Sequence, residues 1–379
     1  MHRHRKSGVL CFVVLLLGWS AALAGDLVVK PPAPDRMFVQ AGQEVTLQFK
    51  VDGGRERGTL SCRVGGYAGE EVCAQTMKLQ DGTGVLKVRL LRGYHALRFP
   101  AADARFGVVA LPPLDSHDNS FFCIDASLSW LETGSTRRKG LVQGLAECGI
   151  AMARERLNWN GINPGHDDWK WEGNRRYDTV RKLYRRRDIP VLDVFHSTPR
   201  WMDTVGPYPR SLLKTARAWR RIAHHWETSW GALEAWNEPD IGAFGEGLPA
   251  DQYVPLVKVL ARVIPQSGAA PLLGGGVFAH ANPAYHELAA RSGLLDVVDF
   301  ISFHTYGHAP EMVDLVGRYH RWLRRHGKAS MPVWITESGR PWSKGPGRPP
   351  AGEDRKSALD MTMKAIEARA CGVERYFAF

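Results

Sequence analysis

From about Leu27 to Leu111, apolar and polar positions alternate in short runs. "EVTLQFKV" (44–51), "GTLSCRVGGY" (58–67), "GVLKVRLLRGYHALRFP" (84–100) and "FGVVAL" (106–111) are separated by glycine-rich breaks. Alternation with a period of two predicts half-buried antiparallel strands, and the turn spacing predicts a small all-β sandwich of the Ig-like kind over residues 26–112. No catalytic constellation stands out within it. "LPPLDSHDNS" (111–120) breaks both periodicities with paired prolines and a polar cluster, which predicts a linker over 113–120.

After Phe121 the pattern changes. Apolar runs "FFCIDA", "GIAMARERL", "IPVLDVF", "ALEAW", "PLLGGG", "VVDFISF", "MPVWIT" and "GVERYFAF" read as strands. Between them lie amphipathic stretches such as "YDTVRKLYRRR", "LLKTARAWRRIAHHWETS", "QYVPLVKVLARVIP" and "DRKSALDMTMKAIEARAC", each long enough for a crossover helix. Eight alternations predict parallel β/α units closed into a (β/α)8 TIM barrel over residues 121–379, an α/β fold preceded by the sandwich. The chain stops just after the eighth strand. A bare last strand would expose an apolar flank to water, so the barrel is expected to be incomplete after strand 8.

The first 25 residues join a basic start, an apolar run from Val9 to Trp19 and the small-residue exit Ala22-Leu23-Ala24. This is the layout of a cleavable signal peptide, too short for a stable membrane span, and it predicts a secreted or periplasmic protein. Net charge is +11, or +8 without Arg3, Arg5 and Lys6. The excess reads as solvated helix surface in "RKLYRRRD" and "RYHRWLRRHGK", or as a field that suits an acidic polysaccharide; no nucleic-acid partner is expected. Of the cysteines beyond that segment, Cys62 and Cys73 are close enough in sequence to pair, and their odd total, with Cys123, Cys148 and Cys371, leaves one thiol over.

In a β/α barrel the loops after the strands enclose one cleft, so the residues that end each apolar run matter most. The fourth run ends in Asn237-Glu238-Pro239 and the seventh in Glu337. Either glutamate alone reads as a helix-capping residue or a loop charge. Together, on opposite sides of an eight-stranded ring, they form the carboxyl pair that retaining glycoside hydrolysis uses. Arg154 and Arg156 share one face of strand two, as His304 and Tyr306 share one face of strand six. His196 ends strand three, and Trp159, Trp201 and above all Trp342 lie just past strand ends, where an indole can pack on a sugar ring.

"ARERLNW", "FHSTPRWM", "AWNEPD", "FISFHTYG" and "ITESG" occur in an order that resembles clan A of the retaining glycoside hydrolases, and within it family 39-like enzymes, from about Phe121 onward. The resemblance implies Glu238 as general acid/base, Glu337 as nucleophile, Asn237 on the sugar 2-hydroxyl, Arg154, or Arg156 on the same face, paired with the nucleophile and Tyr306 close to it. His196, His304 and Trp342 would then complete a carbohydrate-binding cleft. Two carboxyl groups supply all the proton and nucleophile chemistry of such a reaction, so no cofactor is expected. The cysteine spacings match no zinc pattern and "LGGGVF" lacks the Lys-Ser/Thr of a phosphate loop, so no metal or nucleotide is expected either. A non-catalytic carbohydrate-binding barrel and a transglycosylase using the same glutamates are the rival readings.

Overall fold

The computed structural model describes residues 27–30, 32, 37–53, 57–112, 120–340 and 351–379. The expected signal segment, residues 113–119 of the expected linker and Trp342 lie outside them. No helix among the described residues is long and apolar enough to cross a membrane. These residues form two compact units.

The first eight strands are β1 Val28–Lys30, β2 Phe38–Gln40, β3 Glu44–Asp52, β4 Gly58–Gly66, β5 Glu71–Gln80, β6 Thr83–Arg89, β7 Gly93–Phe99 and β8 Ala104–Leu111. They make one sheet in the order β1-β3-β6-β5-β4-β7-β8-β2. Phe49 on β3 and Phe99 on β7 are four strand spacings apart, about 19 Å in a flat sheet. Their rings are 4.8 Å apart, so the sheet curls until its apolar face meets itself. The inward positions of the alternating pattern, Leu47, Phe49, Leu60, Val64 and Leu86, are buried there.

Cys62 and Cys73, close enough in sequence to pair, are both free. In the β4–β5 register Cys62 faces Gln75 and Cys73 faces Val64, which makes the two cysteines diagonal neighbours. That diagonal spans about 7–8 Å, beyond the reach of an unstrained disulfide.

The remaining strands are β9 Phe122–Asp125, β10 Ala153–Asn158, β11 Val191–His196, the short hairpin β12 Thr204–Val205 and β13 Tyr208–Pro209, then β14 Trp230–Ala235, β15 Leu272–Phe278, β16 Phe300–Thr305, β17 Val333–Ser338 and β18 Arg375–Ala378. Apart from the hairpin these strands are all parallel and close into an eight-stranded barrel, with β9 bonded to both β10 and β18. Each of the eight apolar runs became a barrel strand. A helix comes after each of the first seven. Leu212–Trp226 shows why: Ser211 caps its first turn by accepting from the Lys214 amide at 3.4 Å, and its buried positions recur as Thr215, Ala218, Trp219, Ile222, Ala223 and Trp226.

The flank expected to be bare at β18 is covered. Tyr376 is buried in the layer between strands and helices, with its hydroxyl donating to Ser338 at 3.0 Å, and Phe377 is buried inside the barrel. There it joins Cys123, Met152, Leu192, Ala232, Phe300 and Trp334 in an apolar plug that closes the barrel interior beneath the strands' C-terminal ends. Phe300 and Trp334 stack at 3.7 Å. Gly274 makes room for this pair, since a Cβ there would meet Phe300 at 2.4 Å. Gly274→Ala is therefore expected to cost about 1–3 kcal/mol in urea unfolding. Gly242→Ala, where a Cβ meets nothing within 4 Å, should cost far less.

Candidate active site

Strand parity decides what enters the barrel mouth. Along β10, Arg154 and Arg156 point inward, whereas Glu155 points outward to accept from the Leu128 and Ser129 amides at 2.8 and 3.0 Å. The Arg154 side chain is fully buried, and all five of its N–H donors are used. Nε donates to Glu234 at 3.0 Å, Nη1 to Asp125 at 2.7 Å and Glu337 at 3.1 Å, and Nη2 to Asn237 Oδ1 at 3.0 Å and His304 Nε2 at 3.3 Å. Burial alone would disfavour this cation; the carboxylates of Glu234, Asp125 and Glu337 outweigh that and make it harder to deprotonate than a free arginine. Arg156 donates to Asp125 at 3.0 Å, to Ser127 and to Glu337.

Glu337 reaches this position through a bulge. The β16–β17 register steps from Phe303 opposite Ile335 to His304 opposite Glu337, so Thr336 is an extra residue that re-aims the next side chain. Its Oε2 accepts from both arginines, and its Oε1 accepts from the Tyr306 hydroxyl. Burial opposes its ionisation, but the facing His304, Arg154 and Arg156 side chains and the Tyr306 hydroxyl prevail and hold the carboxyl at about 2. The same contact, with burial, pushes the Tyr306 phenol upward.

Glu238 has a different environment. His304 Nδ1 lies 2.7 Å from its Oε1, and among the described residues no guanidinium pairs with it. The imidazole tautomer is set by its other contact: an arginine only donates, so Nε2 accepts from Arg154 and the ring proton sits on Nδ1, where it is given to Glu238. An oxygen of Glu238 and one of Glu337 lie within 4.8 Å of each other, and His304 Nδ1 is 2.7 Å from Glu238 and 3.7 Å from Glu337. Three such ligand atoms have a spacing that a divalent cation can use. Here Glu337 Oε2 is already taken by two guanidinium groups, whose charge opposes an added cation.

The segment carrying Glu238 leaves β14 abruptly, with Trp236 and Glu238 both in the left-handed region at φ 70° and 42°. Such backbone persists only where surroundings hold it. The Trp236 amide donates to Phe195 at 2.6 Å and its indole to Phe244 at 2.9 Å, while Tyr285 donates to the Pro239 carbonyl at 3.1 Å. Asp240 accepts from the Ala279 and His280 amides, both at 2.9 Å, which ties this turn to the loop after β15. Gly245 packs so closely that a Cβ would sit 2.0 Å from the Pro239 carbonyl oxygen.

Glu238, Glu337 and Asn237 open onto a cavity of about 340 Å³, together with Arg156, Arg175 and His196. Trp130, Phe244 and Phe379 supply its aromatic walls. His196 is kept neutral, its pKa lowered to about 3 by burial and then by Arg175, Arg156 and Arg154. Of the sequence candidates, Glu238, Glu337, Asn237, Arg154, His304 and Tyr306 thus form one connected cluster, and His196 lines the same cavity. Trp159 is a correction, wholly buried against Trp219 rather than offered to a ligand. Trp201 spends its indole N–H on the Asn163 carbonyl at 3.0 Å. Sequence reasoning missed Asp125 and Glu234, acids inside apolar strand runs, where a charge has to find a buried partner.

Neither a family model nor a curated protein matches this chain. Solved structures do. The chain matches a family 39 glycoside hydrolase from the gut symbiont Bacteroides cellulosilyticus WH2 with a TM-score of 0.71 at 14% identity, over 92% of this chain and 75% of that one. A family 39 β-xylosidase from Caulobacter crescentus matches at 0.53 and 19% identity over 69% of this chain, and a glucosidase from Croceicoccus marinus at 0.52 and 16% over 63%. This chain spans 62% and 55% of those two proteins. At these identities the likeness establishes a shared fold.

Two measurements check the electrostatics. Arg154→Met leaves Glu234 buried without its cation and Asp125 with Arg156 alone, and should cost about 3–5 kcal/mol in chemical denaturation. Glu337 has a folded pKa of about 2 against an ordinary 4.5, so the stability it contributes is fully present above pH 4.5 and is lost as pH falls toward 2. The stability gap between wild type and Glu337→Gln should narrow over that window; a constant gap would contradict the ion-pair geometry.

Proposed function

We propose that the protein is a retaining glycoside hydrolase in which Glu238 is the acid/base and Glu337 the nucleophile. The observation that carries this reading is the carboxyl spacing. One oxygen of each carboxyl group lies within 4.8 Å of the other, which agrees with the close pair of retaining enzymes, roughly 5–5.5 Å apart, better than with the roughly 6.5–9.5 Å of inverting ones. The shared fold and the contrast between the two carboxyl environments support it further.

The contacts of each oxygen support a division of the steps. Glu337 is held charged, and its Oε2 is saturated by two arginines, so Oε1 attacks the anomeric carbon. As the C–O bond to the leaving group breaks, Glu238 protonates the departing oxygen. Its Oε1 accepts from His304, so the acid proton is carried on Oε2. A water then gives its proton to Glu238 and attacks the glycosyl ester, releasing the sugar and restoring the Glu337 carboxylate. Asn237 has its carbonyl oxygen taken by Arg154 and keeps its amide N–H donors for a sugar hydroxyl. The N-terminal "MHRHRKSGVLCFVVLLLGWSAALAG" supports export as the location of this activity.

On aryl glycosides, Glu337→Gln should reduce turnover to background while still unfolding in one cooperative transition at neutral pH, at lower denaturant than the wild type. Glu238→Ala should lose about 10²–10⁴-fold on poor leaving groups and far less on dinitrophenyl glycosides, which need little protonation. Equal losses on both leaving groups would remove Glu238 as the acid.

A further inference from the structure

Three arginines face the catalytic cavity or lie beneath it, and they are not equivalent. Arg154 and Arg156 are neutralised by Asp125, Glu234 and Glu337. Arg175 lines the cavity on the loop after β10 and, among the described residues, pairs with no carboxylate. Its neighbour is the Tyr177 phenol, which cannot balance its charge. Beside it, His196 Nε2 is buried without a hydrogen-bond partner. His196 Nδ1 lies 2.7 Å from Ser197 Oγ, so a neutral ring that accepts from the serine hydroxyl presents Nε2–H as a free donor.

The charge continues outward. A second groove shares His196 and Phe244 with the cavity and is lined by Arg200, which also pairs with no carboxylate among the described residues. A cleft for an uncharged sugar has no use for guanidinium groups left uncompensated, because desolvating them when the ligand binds is costly. A planar anion turns that cost into paired hydrogen bonds.

From these positions we infer that the sugar bound in the cavity carries an anionic substituent, a carboxylate or a sulfate, held by Arg175 and by the Nε2–H of His196. The inference rests on the glycoside hydrolase reading for its ligand class, but it concerns binding and can be tested without turnover. Arg200 extends the same preference to a neighbouring acidic unit of a polymer.

The test is calorimetric titration of the Glu337→Gln protein, full chain, with gluco-, manno- and galacto-configured oligosaccharides in three matched forms: unmodified, oxidised to the 6-carboxylate, and 6-sulfated. An anionic form should bind at least 10-fold more tightly than its neutral match, with the advantage shrinking as salt rises; whichever of carboxylate and sulfate binds tighter identifies the natural group. Adding Arg175→Ala should collapse that ratio toward one, a loss of about 10- to 100-fold for a charge-assisted bidentate contact. Arg175→Lys, which keeps charge but not the fork, should retain part of it and guards against a folding defect in the alanine variant. Equal binding of neutral and anionic forms, or a ratio indifferent to Arg175, overturns the inference. Wild-type cleavage of the same panel reports separately on the hydrolase reading.

Discussion

One buried guanidinium organises this barrel. Arg154 sits where strand parity and a closed ring leave it no access to water, and five donors must find five acceptors. They find them on β9, β14, β16 and β17 and on the turn after β14, so one side chain gauges the distances between strands that are remote in sequence. A charge in that position is tolerable only if the set is complete, because each missing partner leaves a buried ion uncompensated. The apolar plug beneath it, built on Phe300 and Trp334, keeps water from reaching the cluster from the other end.

The two glutamates inherit different environments from this arrangement. Glu337 is drawn into the arginine network by a β-bulge and is held as an anion. Glu238 is set outside the network on a turn whose left-handed backbone is clamped by Tyr285, Asp240 and the close approach of Gly245. His304 links them, accepting from Arg154 at one nitrogen and donating to Glu238 at the other. The electrostatic asymmetry of two chemically identical groups is thus a consequence of which one the cation can reach.

Much of this was legible in the residues. Eight apolar runs separated by amphipathic stretches are a strong signal for closed β/α repetition, and every run became a strand. Acids at the ends of runs four and seven were visible because they occur as a pair on opposite sides of the ring, where either alone would read as a capping residue or a loop charge. What escaped was what depends on three dimensions. Asp125 and Glu234 look like accidents in apolar runs until Arg154 is seen between them, and Trp159 resembles a cleft residue until its ring is found packed on Trp219. Whether Cys62 and Cys73 pair was decided by a two-residue offset in strand register, which spacing along the chain does not reveal. Arg175 lay unnoticed in a polar loop because the lack of a carboxylate partner among the described residues does not show along the chain.

The central claim is that Glu337 attacks the anomeric carbon directly, with Glu238 close on the same cleft. Proton NMR of the first sugar released from a susceptible aryl glycoside, recorded before mutarotation, tests it most directly. Double displacement predicts a product whose anomeric configuration matches that of the substrate. An initial product of the opposite configuration would mean that water attacks in one step, and would contradict the roles assigned to both glutamates.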